Sequence, residues 1–68
     1  MDPDANLAEQ KKLAKRVESW FDKGGEEHAA QIGDDAARLA ELVLSLDEWI
    51  RKGGALPTSW QKNASQAR

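Results

Sequence analysis

The sequence predicts an all-α protein that folds as an antiparallel helical hairpin. Helix-forming residues dominate the composition and β-branched residues are few. Two segments show helical apolar periodicity, and each ends at a Gly-Gly pair of the kind that terminates helices. We expect helix 1 at about residues 3–23, a short turn at about 26–31 and helix 2 at about 35–52.

Helix 1 has a strong start signal and a weak apolar stripe. Asp2 is able to accept hydrogen bonds from free N–H groups of the first turn, and Pro3 lacks a donor that would be unsatisfied there. The stripe is centred on Val17 and also contains Gln10, Leu13, Ala14, Trp20 and Phe21. Because Asn6 and Gln10 are polar, we expect loose packing in the first half of this helix unless another part of the chain covers it.

Helix 2 carries the clearest pattern in the chain, an apolar seam with alternating spacings of four and three residues. The seam consists of Ile32, Ala36, Leu39, Val43, Leu46 and Ile50. These spacings predict that the seam faces a partner helix. Gly33 followed by Asp34-Asp35 indicates a kink or break and a new N-cap, so we expect the main helix to begin at Asp35.

Both helices finish with the same pattern of Trp, a large apolar residue, a variable residue, Lys and Gly-Gly. The two copies begin at Trp20 and Trp49. Chance reuse of a good helix terminus explains this similarity, and so does duplication of one helix-and-cap unit. The sequence leaves both explanations open.

The segment after helix 2 contains too many apolar residues for a solvated tail. We expect Pro57 to fix a turn, and Leu56 and Trp60 to fold back over the poorly packed end of the hairpin. Their expected neighbours are Leu7, Gln10, Trp49 and Ile50. Residues 1–62 then form a single domain, and the small polar residues 63–68 are expected to be disordered.

Residues 46–60 contain Asp47-Glu48-Trp49, then Gly53-Gly54, Leu56-Pro57 and Trp60 at fixed spacings. This segment resembles the C-terminal end of short uncharacterised proteins encoded by actinobacteria and their phages. The resemblance implies a phage or actinobacterial origin and assigns no activity. Ala55 departs from the pattern, because an aromatic residue is frequent at that position, and the change would thin the packing of the tail.

Composition argues against several classes of function. His28 is the only histidine and there is no cysteine, so we expect no metal site, no cofactor and no enzymatic activity. His28 lies in a Glu-rich turn, where a solvated side chain is more usual than a catalytic one. The acidic N-terminus and the lack of a long apolar run predict a cytoplasmic protein without a membrane segment.

The remaining interpretations concern partners. A chain of 68 residues buries little core, and without disulfides or a metal the usual way to gain stability is association. We therefore expect a non-enzymatic protein that acts through protein contacts. It is expected to form a homodimer as a four-helix bundle, and a host protein is the candidate further partner if the chain is a phage factor. The candidate interface residues are Leu42, Leu44, Trp49 and Trp60.

The alternative is a small nucleic-acid-binding regulator. Its candidate contacts are the basic cluster Lys11, Lys12, Lys15 and Arg16 on helix 1. The net charge of −2 and the glutamates that interrupt this cluster make nucleic-acid binding the less favoured interpretation.

Overall fold

The computed structural model of the chain describes residues 1–61 and confirms the predicted all-α hairpin. Helix α1 spans Pro3–Gly24 and helix α2 spans Ala29–Arg51. The helices run antiparallel, since Asn6 near the start of α1 contacts Leu42 late in α2, whereas Trp20 contacts Asp35. The predicted disordered segment 63–68 lies outside the described residues.

Helix α1 begins as its sequence predicts. The Asp2 carboxylate accepts hydrogen bonds from the backbone N–H groups of Asp4 and Ala5 at 3.0 and 3.1 Å, and Pro3 occupies the first turn. At the other ends, the first glycine of each Gly-Gly pair adopts a positive φ, 117° at Gly24 and 92° at Gly53. Glycine adopts this conformation without the strain of a side chain, which explains why both helices stop there.

The predicted break at Gly33 is wrong, because α2 begins at Ala29 and continues through Gly33 without interruption. Residues 25–28 form the turn between the helices. Asp35 does not cap a helix terminus: it is buried, and its carboxylate accepts hydrogen bonds from side chains of α1. The cap prediction failed because the carboxylate has stronger partners across the hairpin.

The expected burial of the helix 2 seam is only partly correct. Leu46 is buried, and Ile32, Leu39 and Ile50 are half-buried, but Ala36 is exposed and Val43 is 45 % exposed. Leu42, outside the seam, is buried in its place. The contact with α1 therefore lies to one side of the seam and leaves the other side open.

The start of α1 is not loosely packed, in keeping with the expectation that the tail covers it. Asn6 is buried, its amide nitrogen donates to the backbone oxygen of Leu42 at 3.1 Å, and its amide oxygen accepts from Gln10 at 2.6 Å. Hydrogen bonds satisfy these polar groups where apolar packing was expected to be poor.

The tail folds back onto the start of α1, as predicted. Pro57 is fully buried, and Thr58 donates its backbone N–H and its hydroxyl to the Asp4 carboxylate at 2.6 and 2.8 Å. A single helical turn follows at residues 58–61. The Trp49 indole nitrogen donates to the carbonyl of Ala55 at 2.9 Å, which fixes the path between α2 and this turn.

The whole arrangement is one layer of helices, with principal extents of 43 × 24 × 15 Å. The shortest extent exceeds the diameter of a single helix by only a few ångströms. Two helices side by side therefore present two broad faces, and within residues 1–61 only the tail, at the free end of the hairpin, lies against them. Neither helix has the length and apolar content that crossing a membrane requires, within that part of the chain.

Candidate functional site

One broad face of the hairpin carries its cross-helix ion pairs. Arg38 on α2 contacts Glu9 on α1 through two nitrogens at 3.0 and 3.2 Å, and it lies 3.7 Å from Glu41. The Arg38 hydrogen bonds hold the pKa of Glu9 below its ordinary value, and Glu9 in turn raises the pKa of Arg38. We call this surface the ion-pair face.

Asp35 lies at the centre of a second cross-helix cluster. Its carboxylate accepts from Arg16 at 2.6 and 3.2 Å and from the Trp20 indole nitrogen at 3.0 Å. The Trp20 ring also packs beside His28, with ring centroids 4.8 Å apart, and Lys23 lies 5.4 Å from its centroid. His28 is thus half-buried against an indole, so it is less solvated than its Glu-rich turn suggested.

The opposite broad face is apolar. Gln10, Val17 and Phe21 lie on one strip of α1, since spacings of seven and eleven residues return to nearly the same side of a helix. Ala36, Val43 and Ile50 follow each other at spacings of seven along α2 and form the neighbouring strip. We call these two strips together the apolar face. Its most exposed members are Phe21 at 60 % and Val43 at 45 %.

A groove opens in the apolar face near the free end of the hairpin. It has a volume of about 210 Å³ and is lined by Gln10, Val43, Leu46, Asp47, Ile50 and Trp60. The tail supplies one wall, because the Thr58–Asp4 hydrogen bonds place the following turn, and with it Trp60, beside α2. Trp60 remains 38 % exposed, so its ring borders the opening. We call this feature the Trp60 groove.

The four candidate interface residues occupy different environments. Leu42 is only 7 % exposed and packs inside the hairpin, so the expectation that it faces a partner is wrong. Trp49 is half-buried and bonded to the tail, whereas Leu44 is 69 % exposed on the outer edge of α2. Of the four, Trp60 alone lines the Trp60 groove.

The four candidate nucleic-acid contacts differ in whether they already have a partner within the hairpin. Lys11, Lys12 and Lys15 are exposed, but the Arg16 guanidinium is engaged with the buried Asp35 carboxylate. A phosphate would have to compete with that ion pair. The cluster therefore offers three free cations on the outside of α1 and not four.

The described residues bring together no group with evident catalytic or metal-binding geometry. Among residues 1–61 there is no cluster of three or more potential metal-ligating side chains. A second, wide-open cavity of about 260 Å³ lies beside the start of the chain. It is lined by Met1, Ser45, Glu48, Trp49 and Lys52, and it pairs Ser45 with no histidine.

Sequence reasoning identified Trp60 but missed Phe21 and Val43 as exposed members of one face. For Val43 the available signal was the heptad spacing of α2, because the seam residues Ala36, Val43 and Ile50 lie on the apolar face. Comparison with known protein families, curated proteins and solved structures finds no match to this chain.

Proposed function

We propose that this chain is a non-enzymatic protein-interaction module that works as a homodimer. Two hairpins would pack through their apolar faces and form a four-helix bundle, the common closed arrangement for such helices. The observation that carries the proposal is the apolar face itself, which lies opposite the ion-pair face on a layer one helix thick.

Layer architecture supports a partner on this face. Stable domains bury the apolar side of each element in a second layer, and residues 1–61 supply only one. The two longer extents of the molecule, 43 and 24 Å, give each broad face a projected area of about 1,000 Å². A typical stable interface buries about 800 Å² on each partner. The broad face that carries the apolar strips is therefore large enough for such a contact.

Sedimentation equilibrium over a wide concentration range tests the dimer. We expect a mass that rises from 7.5 kDa towards twice that value as the concentration increases. Val43→Glu should keep the protein monomeric, because it places a charge in the middle of the apolar face at a side chain already 45 % exposed. Ser45→Glu is the matched control, since Ser45 is exposed away from the apolar face and lines the other cavity.

One result contradicts the homodimer, and another contradicts the apolar face as its interface. The first is a constant mass near 7.5 kDa up to high micromolar concentration, together with a melting temperature that does not change with concentration. The other is a dimer that tolerates Val43→Glu and is broken by Ser45→Glu, which would move the interface to the ion-pair face.

Our proposal for the biological setting depends only on the resemblance of residues 46–60 to short phage and actinobacterial proteins. We propose a phage-encoded factor in the cytoplasm of its bacterial host, where the dimer would bind a host protein. The genes adjacent to this one provide the test. Phage genes on both sides are expected, and a location outside any phage or prophage would contradict the proposal.

A further inference from the structure

We infer that the two copies pack with α1 antiparallel to its own counterpart, so that Phe21 of each copy enters the Trp60 groove of the other. The inference rests on the proposed homodimer and specifies its arrangement. It follows from three features of the apolar face: a projecting ring, a groove of matching size and the order of charges along its edge.

Phe21 is the projecting ring. It is 60 % exposed, although phenylalanine is among the residues most often buried. Its ring lies towards the turn end of the hairpin, so close to Gly25 that a Cβ atom there would be 3.0 Å from the ring carbon Cδ1. The ring is thus held at one end of the apolar face and fills no site in its own chain.

The Trp60 groove is at the other end of the same face. Its volume of about 210 Å³ is ample for one ring, since an apolar cavity of about 150 Å³ accommodates benzene. Val43, Leu46 and Ile50 supply aliphatic contacts, and Trp60 supplies an aromatic wall. The aromatic pair would add favourable edge or offset contacts to the area that is buried.

The spacing along α1 permits both insertions at once. Gln10 forms the α1 wall of the groove, and Phe21 follows it by eleven residues, or about 16 Å along the helix. A twofold axis that lies between the two copies, parallel to both layers and perpendicular to α1, exchanges the two positions when it passes midway between them. That midpoint is next to Arg16, which pairs with Asp35, so the axis passes beside both helices at the level of this cluster.

Charges along the outer edge of α1 select the antiparallel direction. Lys11, Glu18 and Asp22 are exposed and lie on one strip, because they are seven and four residues apart. The same twofold axis places Lys11 of one copy level with the stretch between Glu18 and Asp22 of the other. The ion pairs found among residues 1–61 use other side chains, so these charges are free to pair between copies.

A parallel arrangement lacks this match. It would place α1 of one copy over α2 of the other, with the turn ends together and both Trp60 grooves at the opposite end. Lys11 would then lie beside the outer edge of α2 of the other copy. The middle of that edge consists of Ala37, Ala40 and Leu44, which provide no carboxylate for Lys11. In the antiparallel arrangement each Phe21 ring has a groove to enter, and each Lys11 has carboxylates of the other copy to pair with.

Dissociation constants from sedimentation equilibrium at low salt provide the test. Phe21→Ala removes two buried rings from each dimer and should raise the dissociation constant by about 100-fold. Lys11→Glu converts attraction to repulsion at two symmetric sites and should raise it by about 5- to 10-fold. The combined change Lys11→Glu, Glu18→Lys and Asp22→Lys should restore the affinity to within about threefold, because the charges are then exchanged.

Lys12→Glu is the matched control for charge, since it alters the charge equally one residue along α1 and away from this strip. Helix content by circular dichroism checks that each variant folds.

If the wild-type chain remains monomeric, the homodimer itself is excluded. If it dimerises and Phe21→Ala has no effect, the dimer stands and the insertion of Phe21 is excluded. If the combined exchange fails to restore affinity, the antiparallel direction is excluded.

Discussion

The indole nitrogen of Trp20 donates a hydrogen bond of 3.0 Å to the carboxylate of Asp35, and this bond joins the last third of α1 to the first third of α2. Arg16 donates to the same carboxylate through two nitrogens. Asp35 is therefore a buried acceptor with three donors from the facing helix. Because each donor has a fixed position on α1, the cluster fixes how far α2 is displaced along the axis of α1.

Asp35→Ala should destabilise the fold by about 1–3 kcal/mol. The change leaves the Trp20 indole nitrogen without its acceptor, whereas the half-exposed Arg16 recovers part of its loss through water. Urea unfolding at a fixed protein concentration measures the difference. Asp34→Ala alters the exposed neighbouring aspartate and should change the free energy of unfolding much less. Equal effects of the two variants would contradict the role of the cluster.

Gly33→Ala should stabilise the protein by about 1 kcal/mol. Gly33 lies inside α2 with no atom within 4 Å of the position where a Cβ would be, and alanine is the better helix former by about that amount. Thermal melting should rise by several degrees. Gly53→Ala is the matched control: its φ of 92° strains any side chain, so the same change there should lower the melting temperature. A decrease for Gly33→Ala would show that the helix is interrupted in solution.

Gly54→Ala should destabilise the connection to the tail by about 1–3 kcal/mol. A Cβ at this position would overlap the indole ring of Trp49, which must then move and give up its hydrogen bond to Ala55. Near-ultraviolet circular dichroism reports the environment of the tryptophans and should change together with the melting temperature. An unchanged spectrum with unchanged stability would contradict this packing.

Truncation after Gly54 should cost about 2–4 kcal/mol of stability. It removes the fully buried Pro57, the half-buried Leu56 and the wall supplied by Trp60. A chain that ends at Gln61 retains these contacts and is the reference for urea unfolding. Equal stability of the two chains would mean that the tail contributes nothing to the core.

Docking of the tail should weaken in acid. Two hydrogen bonds from Thr58 hold the pKa of Asp4 below its ordinary value of 3.8. A lowered pKa in the folded state means that Asp4 stabilises the fold above about pH 4, and that this contribution disappears as the pH falls through the lowered value. The difference in unfolding free energy between wild type and Asp4→Ala should therefore shrink from pH 7 to pH 3. A difference that is constant with pH would exclude the carboxylate as the acceptor.

The fold class was predictable because its signals are local. The Asp2 cap, the glycines after each helix and the apolar spacing each depend on a few neighbouring residues, and all lie where the structure has helix starts, ends or apolar surfaces. Asp35 was misinterpreted because the same local pattern, glycine followed by aspartates, also fits an N-cap. Only the position of Arg16 across the hairpin decides between the two roles.

The candidate site was less predictable because it depends on relative placement. A heptad seam indicates that a helix has an apolar side. Which members of the seam face α1 depends on the rotation of α2 about its own axis, and a difference of less than half a turn changes them. Leu42 was assigned to an outer interface and is buried, whereas Val43 was assigned to the hairpin core and is exposed. The Trp60 groove needs the path of the tail as well, and that path is set by a contact between residues 54 positions apart.

The contact between Asp4 and Thr58 also constrains the order of events during synthesis. At about 5–20 residues per second, the ribosome adds Thr58 roughly 3 to 11 seconds after Asp4, since 54 positions separate them. Within that interval α2 is added first, and only afterwards does the tail arrive that folds back onto the start of α1, where the buried Leu7 lies. The first turns of α1 are therefore synthesised before α2 and the tail but reach their final packing only after both have been added.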